Sequence, residues 1–127
     1  MPVSLLDTTM VTALGRIALG ALPGTVVYAD REPRSPGPVQ VGPEVVRAEH
    51  PTLLVFRDEM PGANWMHPST YALVDLVTRE VLTLVASDRP PVFGTLPDTW
   101  IVVSDADGRA DLVRRTGVSS PPEQPAP

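Results

Sequence analysis

The chain contains neither cysteine nor lysine. Without cysteine there can be no disulfide, no thiolate zinc site and no thiol nucleophile. The same absence fits a reducing compartment. Without lysine there can be no Schiff base and no lysine gripping phosphate from a glycine-rich loop. The ten basic residues are all arginine, asparagine occurs only at 64, and isoleucine only at 17 and 101. Lys, Asn, Ile, Phe and Tyr draw on AT-rich codons and Ala, Gly, Pro and Arg on GC-rich ones, so the composition reads as that of a high-GC bacterial genome. No apolar run approaches the ~18–20 residues of a membrane span. No basic n-region of a secretory signal precedes the first apolar stretch, and the expected location is cytoplasmic. The net charge of −5 gives no long-range attraction for a phosphate backbone, so nucleic acid is not an expected partner. Phosphate cradles, dinucleotide fingerprints and basic stripes are all missing.

What remains is a chain of 127 residues, the length of one domain, which buries roughly two-thirds of its unfolded surface. Residues 7–22, DTTMVTALGRIALGAL, predict a helix. Asp7, Thr8 or Thr9 can cap it, and Met10, Val11, Leu14, Ile17, Ala18 and Ala21 form an apolar stripe. The small residues Gly15 and Gly20 let another backbone approach. The stripe either packs on its own domain or docks on a partner.

After Gly24 the pattern changes. TVVYAD (25–30), EVVRA (44–48), TLLVFRD (52–58), TYALVD (70–75), EVLTLVA (80–86), TWIVVS (99–104) and RADLVRR (109–115) are strand-length runs separated by turn residues. Their spacing predicts a sandwich or barrel. Residues 31–43 carry Pro33, Pro36, Pro38 and Pro43 and read as an extended loop or edge segment, because each proline removes a ladder donor. LLVF (53–56) reads as a central strand covered on both faces. Asp107-Gly108 and Thr78-Arg79-Glu80 mark two hairpins. In the second of these, Val81, Leu82, Leu84 and Val85 fail to alternate. The fold expected is a single mainly β domain over residues 1–118, a small antiparallel sandwich or partly closed barrel with an N-terminal helix, with α+β as the runner-up. Residues 119–127, SSPPEQPAP, read as a disordered Pro-rich tail.

The chemistry-bearing residues form few patterns. DADGRAD (105–111) resembles the start of a calcium loop, but the twelfth position is Thr116 rather than a bidentate Glu. His50 and His67 match no metal spacing. His67 and Ser69 share a strand face, yet no elbow or oxyanion device surrounds Ser69. Asp58 and Glu59 point to opposite faces as strand neighbours and make no acid–base pair, and Arg57 is expected to answer one of them across the sheet. No cofactor or metal is expected.

The most distinctive stretch is RDEMPGANWMHPSTY (57–71). Its connection, Glu59 to Ser69, is long for a hairpin. Pro61 and Pro68 stiffen it, while Met60, Trp65 and Met66 give it apolar content of its own. Met60, Asn64, Trp65, Met66 and His67 are the expected binding residues, with Trp65 either presented to a partner or folded back as a core cap. The reading is a non-catalytic protein–protein interaction or structural module, an oligomer subunit or a regulatory accessory. The alternative is a small hydrolase or metal-dependent enzyme centred on His67.

Overall fold

The computed structural model describes residues 4–61, 68–89, 91, 96–105 and 107–108. Among these residues one helix and seven strands follow in chain order. They are α1 (Thr8–Ala18), β1 (Val26–Asp30), β2 (Gly37–Val41), β3 (Glu44–Ala48), β4 (Thr52–Asp58), β5 (Ser69–Asp75), β6 (Val81–Ser87) and β7 (Trp100–Ser104). Five strands form an antiparallel sheet in the order β6-β5-β4-β1-β7, and β2 and β3 form a separate two-stranded ribbon. The protein is mainly β with an N-terminal helix, and the sheet is open rather than closed into a barrel.

Alternation along the strands builds a core on each face. One face carries Val27, Ala29, Leu53, Val55, Ala72, Val74 and Val103, and α1 covers it with Val11 and Leu14. The other carries Val26, Tyr28, Leu54, Phe56, Tyr71, Leu73 and Val85, and the ribbon covers it with Val39, Val41 and Ala48. LLVF therefore lies on β4, the middle strand, with cover on both sides. Tyr28, Phe56 and Tyr71 face one another across β1, β4 and β5, with ring centroids 6.1 and 5.2 Å apart. That row sets the thickness of the layer beneath the ribbon.

The helix is shorter than the predicted span 7–22. Asp7 caps it, its Oδ2 accepting from the Met10 N–H at 3.0 Å. It stops at Ala18 because Leu19 turns extended and buries its side chain in the helix-side core. Ile17, counted in the apolar stripe, faces solvent instead. The face turned to the sheet is that of Val11, Leu14 and Gly15, where the missing side chain admits Val103. Gly15 thus serves packing within the domain.

The proline-rich stretch, expected as an extended loop or edge segment, is an edge strand in its second half. Residues 37–41 are strand β2, with Pro38 opposite Arg47. A two-stranded ribbon has only edges, so the donor that Pro38 lacks can be one that would have pointed outward. At the tip Gly42 takes φ +58 and lies against the Tyr71 ring.

The β5–β6 hairpin turns at Leu76–Glu80, with Arg79 at φ 67 and its N–H donating to the Asp75 carbonyl at 2.8 Å. The other predicted turn is present too: Gly108 has φ +66 and donates to the Asp105 carbonyl at 3.3 Å. The second arm of that hairpin, 109–115, and the tail, 119–127, lie outside the described residues. Among the described residues, no helix is long and apolar enough to cross a membrane.

Candidate functional site

Of the five residues expected to bind, Asn64, Trp65, Met66 and His67 lie outside the described residues. Met60 is described and is half exposed. The loop leaves the sheet through a polar clamp. The Glu59 N–H donates to the Pro68 carbonyl at 3.2 Å, and the Met60 N–H donates to Asp58 Oδ1 at 3.0 Å. Glu59 Oε2 accepts from Arg57 Nε and from Thr70 Oγ1, each at 2.7 Å. Arg57 therefore answers Glu59, just past the end of its own strand, and not a carboxylate across the sheet. Arg57 also donates to the Gly20 carbonyl at 3.3 Å, fastening the chain after α1 to this end of the sheet. Ser69, the serine of the hydrolase alternative, is buried in β5 beneath this clamp.

At the opposite end of the sheet lies a pair that the sequence did not flag. His50 Nδ1 lies 2.8 Å from Asp75 Oδ2. Asp75 is buried, and its other oxygen accepts from the N–H groups of Val77 and Thr78 at 2.8 and 2.9 Å. The hydrogen bond to His50, then those backbone donors, hold the Asp75 carboxyl down at about 2. The same bond raises His50 above its ordinary value. This pair closes a turn: Asp75 is committed to the β5–β6 connection. With the two 25 positions apart and no local motif, nothing in the sequence marks them as partners.

A groove of about 990 Å³ runs between ribbon and sheet, lined in part by Asp30, Arg34, Gln40, Tyr71, Arg89 and Trp100. Its polar groups answer each other. Arg34 Nη1 lies 2.5 Å from Asp30 Oδ2 and 3.0 Å from the Glu32 carbonyl, and the Tyr71 hydroxyl donates to the Arg89 carbonyl at 2.7 Å. Burial first, then the charge of Asp58, pushes the Tyr71 phenol upward, so it stays protonated. Among the described residues no group of three or more His, Asp or Glu is placed to hold a metal ion.

The most unusual surface is the outer side of β6. This strand is an edge, and among the described residues no strand pairs with its outer side. Val74 pairs with Val81 and Leu73 with Thr83, so Leu82 is an extra residue, a bulge. The bulge explains why the apolar residues fail to alternate. Val81 and Leu84 lie opposite Val74 and Ala72 on the helix-covered face, while Val85 lies opposite Tyr71 and enters the ribbon-side core. The helix sits chiefly over β7 and β1 and does not shelter this side. Val81 is 40%, Leu82 38% and Leu84 60% exposed, with Val77 beside them at 62%. From Val81 to Ser87 there is no charged residue and no proline, the usual guards of an edge. The other edge differs: Arg16 of the helix reaches the Val103 carbonyl of β7 at 2.9 Å and covers it with a charge.

No family model matches the chain, and neither the curated proteins nor the solved structures contain a significant match to it.

Proposed function

We propose that the protein is a non-catalytic interaction module that receives an extended segment along β6, acting as an oligomer subunit or as an accessory to another protein. One observation carries this reading: β6 offers a backbone edge that no described strand pairs with, Val81, Leu82 and Leu84 are exposed beside it, and the strand has no charge to repel an incoming one. Main-chain hydrogen bonds along such an edge supply affinity, and alternate side chains supply selectivity. The polar groups elsewhere support it by their commitments. His50 and Asp75 close a turn, Arg34 is engaged by Asp30, and Glu59 clamps the base of the 59–69 connection. Met60 is exposed at the end of the sheet where β6 finishes, at the start of that connection.

The test uses the immobilised full chain and a displayed library of random heptapeptides. Enrichment of uncharged peptides with alternating β-branched or aliphatic residues is expected, and their capture should fall at least tenfold on Leu84→Glu. A library that enriches nothing, or peptides whose capture ignores Leu84→Glu, would remove β6 as the receiving edge.

A further inference from the structure

We infer that the segment received by β6 is β6 of a second copy, paired antiparallel about a two-fold axis at Leu84; this rests on the edge reading just given. An antiparallel pair of identical strands is self-complementary, as a two-fold interface requires. Around Leu84 the axis sets Leu84 against its own counterpart on the helix-covered face. Leu82 is then brought beside Ala86 of the other copy, also exposed. Two molecules of net charge −5 repel as wholes, yet they meet here along seven residues without charge. The flanks add no net charge, since Arg79-Glu80 at one end and Asp88-Arg89 at the other each bring one cation and one anion. The second edge cannot serve equally, because Arg16 already occupies the Val103 carbonyl. Pairing would extend each five-stranded sheet into one of ten, with the two helices on the same face and the leucines of both copies filling the space between them. A single strand pair of this length is a small interface, at the weak, concentration-dependent end of dimerisation.

The experiment is molar mass by sedimentation or light scattering on the full chain, over loading concentrations from about 1 µM to about 1 mM, the range in which such an interface dissociates. The wild type is expected to rise from 13.6 kDa toward twice that mass. Leu84→Glu and Leu84→Arg should each stay at the monomer mass, with the dissociation constant raised at least tenfold. An equimolar mixture of the two should regain the dimer, because position 84 faces itself across the axis. Leu84 is largely exposed, so the variants should keep the thermal midpoint that the dilute wild type shows; this separates lost pairing from lost folding. A wild type that stays monomeric throughout overturns the second copy. If heptapeptides are still captured, the edge reading survives without it; if they are not, both fall. A dimer indifferent to Leu84→Glu, or a mixture that fails to regain the dimer, overturns pairing at Leu84.

Discussion

Gly15 of the helix lies against Val103 of β7 so closely that a Cβ placed on it would sit 2.9 Å from Val103 Cγ1 and 3.1 Å from Cγ2. Val103 is buried and β-branched, so it has little room to rotate away. Gly15→Ala would gain about 1 kcal/mol of helix propensity, but overpacking of this kind costs about 1–3 kcal/mol. The expected outcome in urea unfolding is a net loss of about 1 kcal/mol, with the sign reversed in a Val103→Ala background, where the methyl has space. A stabilised Gly15→Ala single variant would show that the helix does not sit this close.

Gly42 combines two demands. Its φ of +58 strains any residue with a side chain, and an added Cβ would meet Tyr71 Cδ1 at 2.9 Å. Gly24, at φ +80, has nothing within 4 Å of the same position and supplies the control. Gly24→Ala should cost about 1 kcal/mol from backbone strain alone, and Gly42→Ala about 1–3 kcal/mol more for displacing the ring. Equal costs in denaturant unfolding would mean that the ribbon does not bear on Tyr71.

The His50–Asp75 pair sets a pH dependence. The His50 folded-state value lies above its ordinary 6.5, so its contribution is complete below 6.5 and is lost as pH rises through the raised value. The Asp75 value lies below its ordinary 3.8, so its contribution is complete above 3.8 and is lost as pH falls through about 2. The pair is therefore fully made in the mildly acidic range. An NMR titration should place the His50 midpoint above 6.5 in the wild type and lower in Asp75→Asn, which keeps the acceptor for the turn. The corresponding loss of thermal stability between about pH 6 and pH 8 should vanish in His50→Asn and shrink with added salt, since the imidazole is partly exposed. A His50 midpoint at or below 6.5 would contradict the hydrogen bond.

Asp7 accepts from the Met10 N–H at the start of a helix with no acidic residue in its first turn. Asp7→Ala should lower stability by about 1 kcal/mol and Asp7→Ser by much less, read as shifts in the denaturant midpoint. Equal effects would assign the loss to charge near the helix terminus rather than to the cap.

Much of the architecture is local in origin and was legible as such. The helix start follows from Asp7 and the three-and-four spacing, and the central position of β4 from an apolar run that no exposed strand could carry. The end of the helix was not legible, because Leu19 continues the composition of the helix and leaves it only to fill a core formed by strands far along the chain. The outer edge of β6 was hidden for a related reason. A run such as Val81-Leu82-Thr83-Leu84-Val85 looks covered on both faces until the bulge at Leu82 and the position of the strand in the sheet are known. Of the binding residues expected in the 59–69 connection, Met60 stands exposed above the Glu59 clamp, while Asn64 to His67 lie outside the described residues. His50 and Asp75 meet only because β4 and β5 align Thr52 with Asp75.

The order β6-β5-β4-β1-β7 also governs when each part of the chain can find its place during synthesis. Among the described residues, the hairpins β2–β3, β4–β5 and β5–β6 join strands adjacent in sequence and can form soon after they emerge. Strand β1, buried along its whole length, waits for β4 on one side and for β7 on the other. The helix waits as long, because Val103, which packs against Gly15, lies on β7. At roughly 5–20 residues per second, Val11 and Leu14 leave the ribosome several seconds before the surface that buries them is complete. A nascent chain released before β7 would therefore keep its central sheet local and well formed, yet carry a helix without its Val103 contact and a half-paired β1, the surfaces a chaperone recognises.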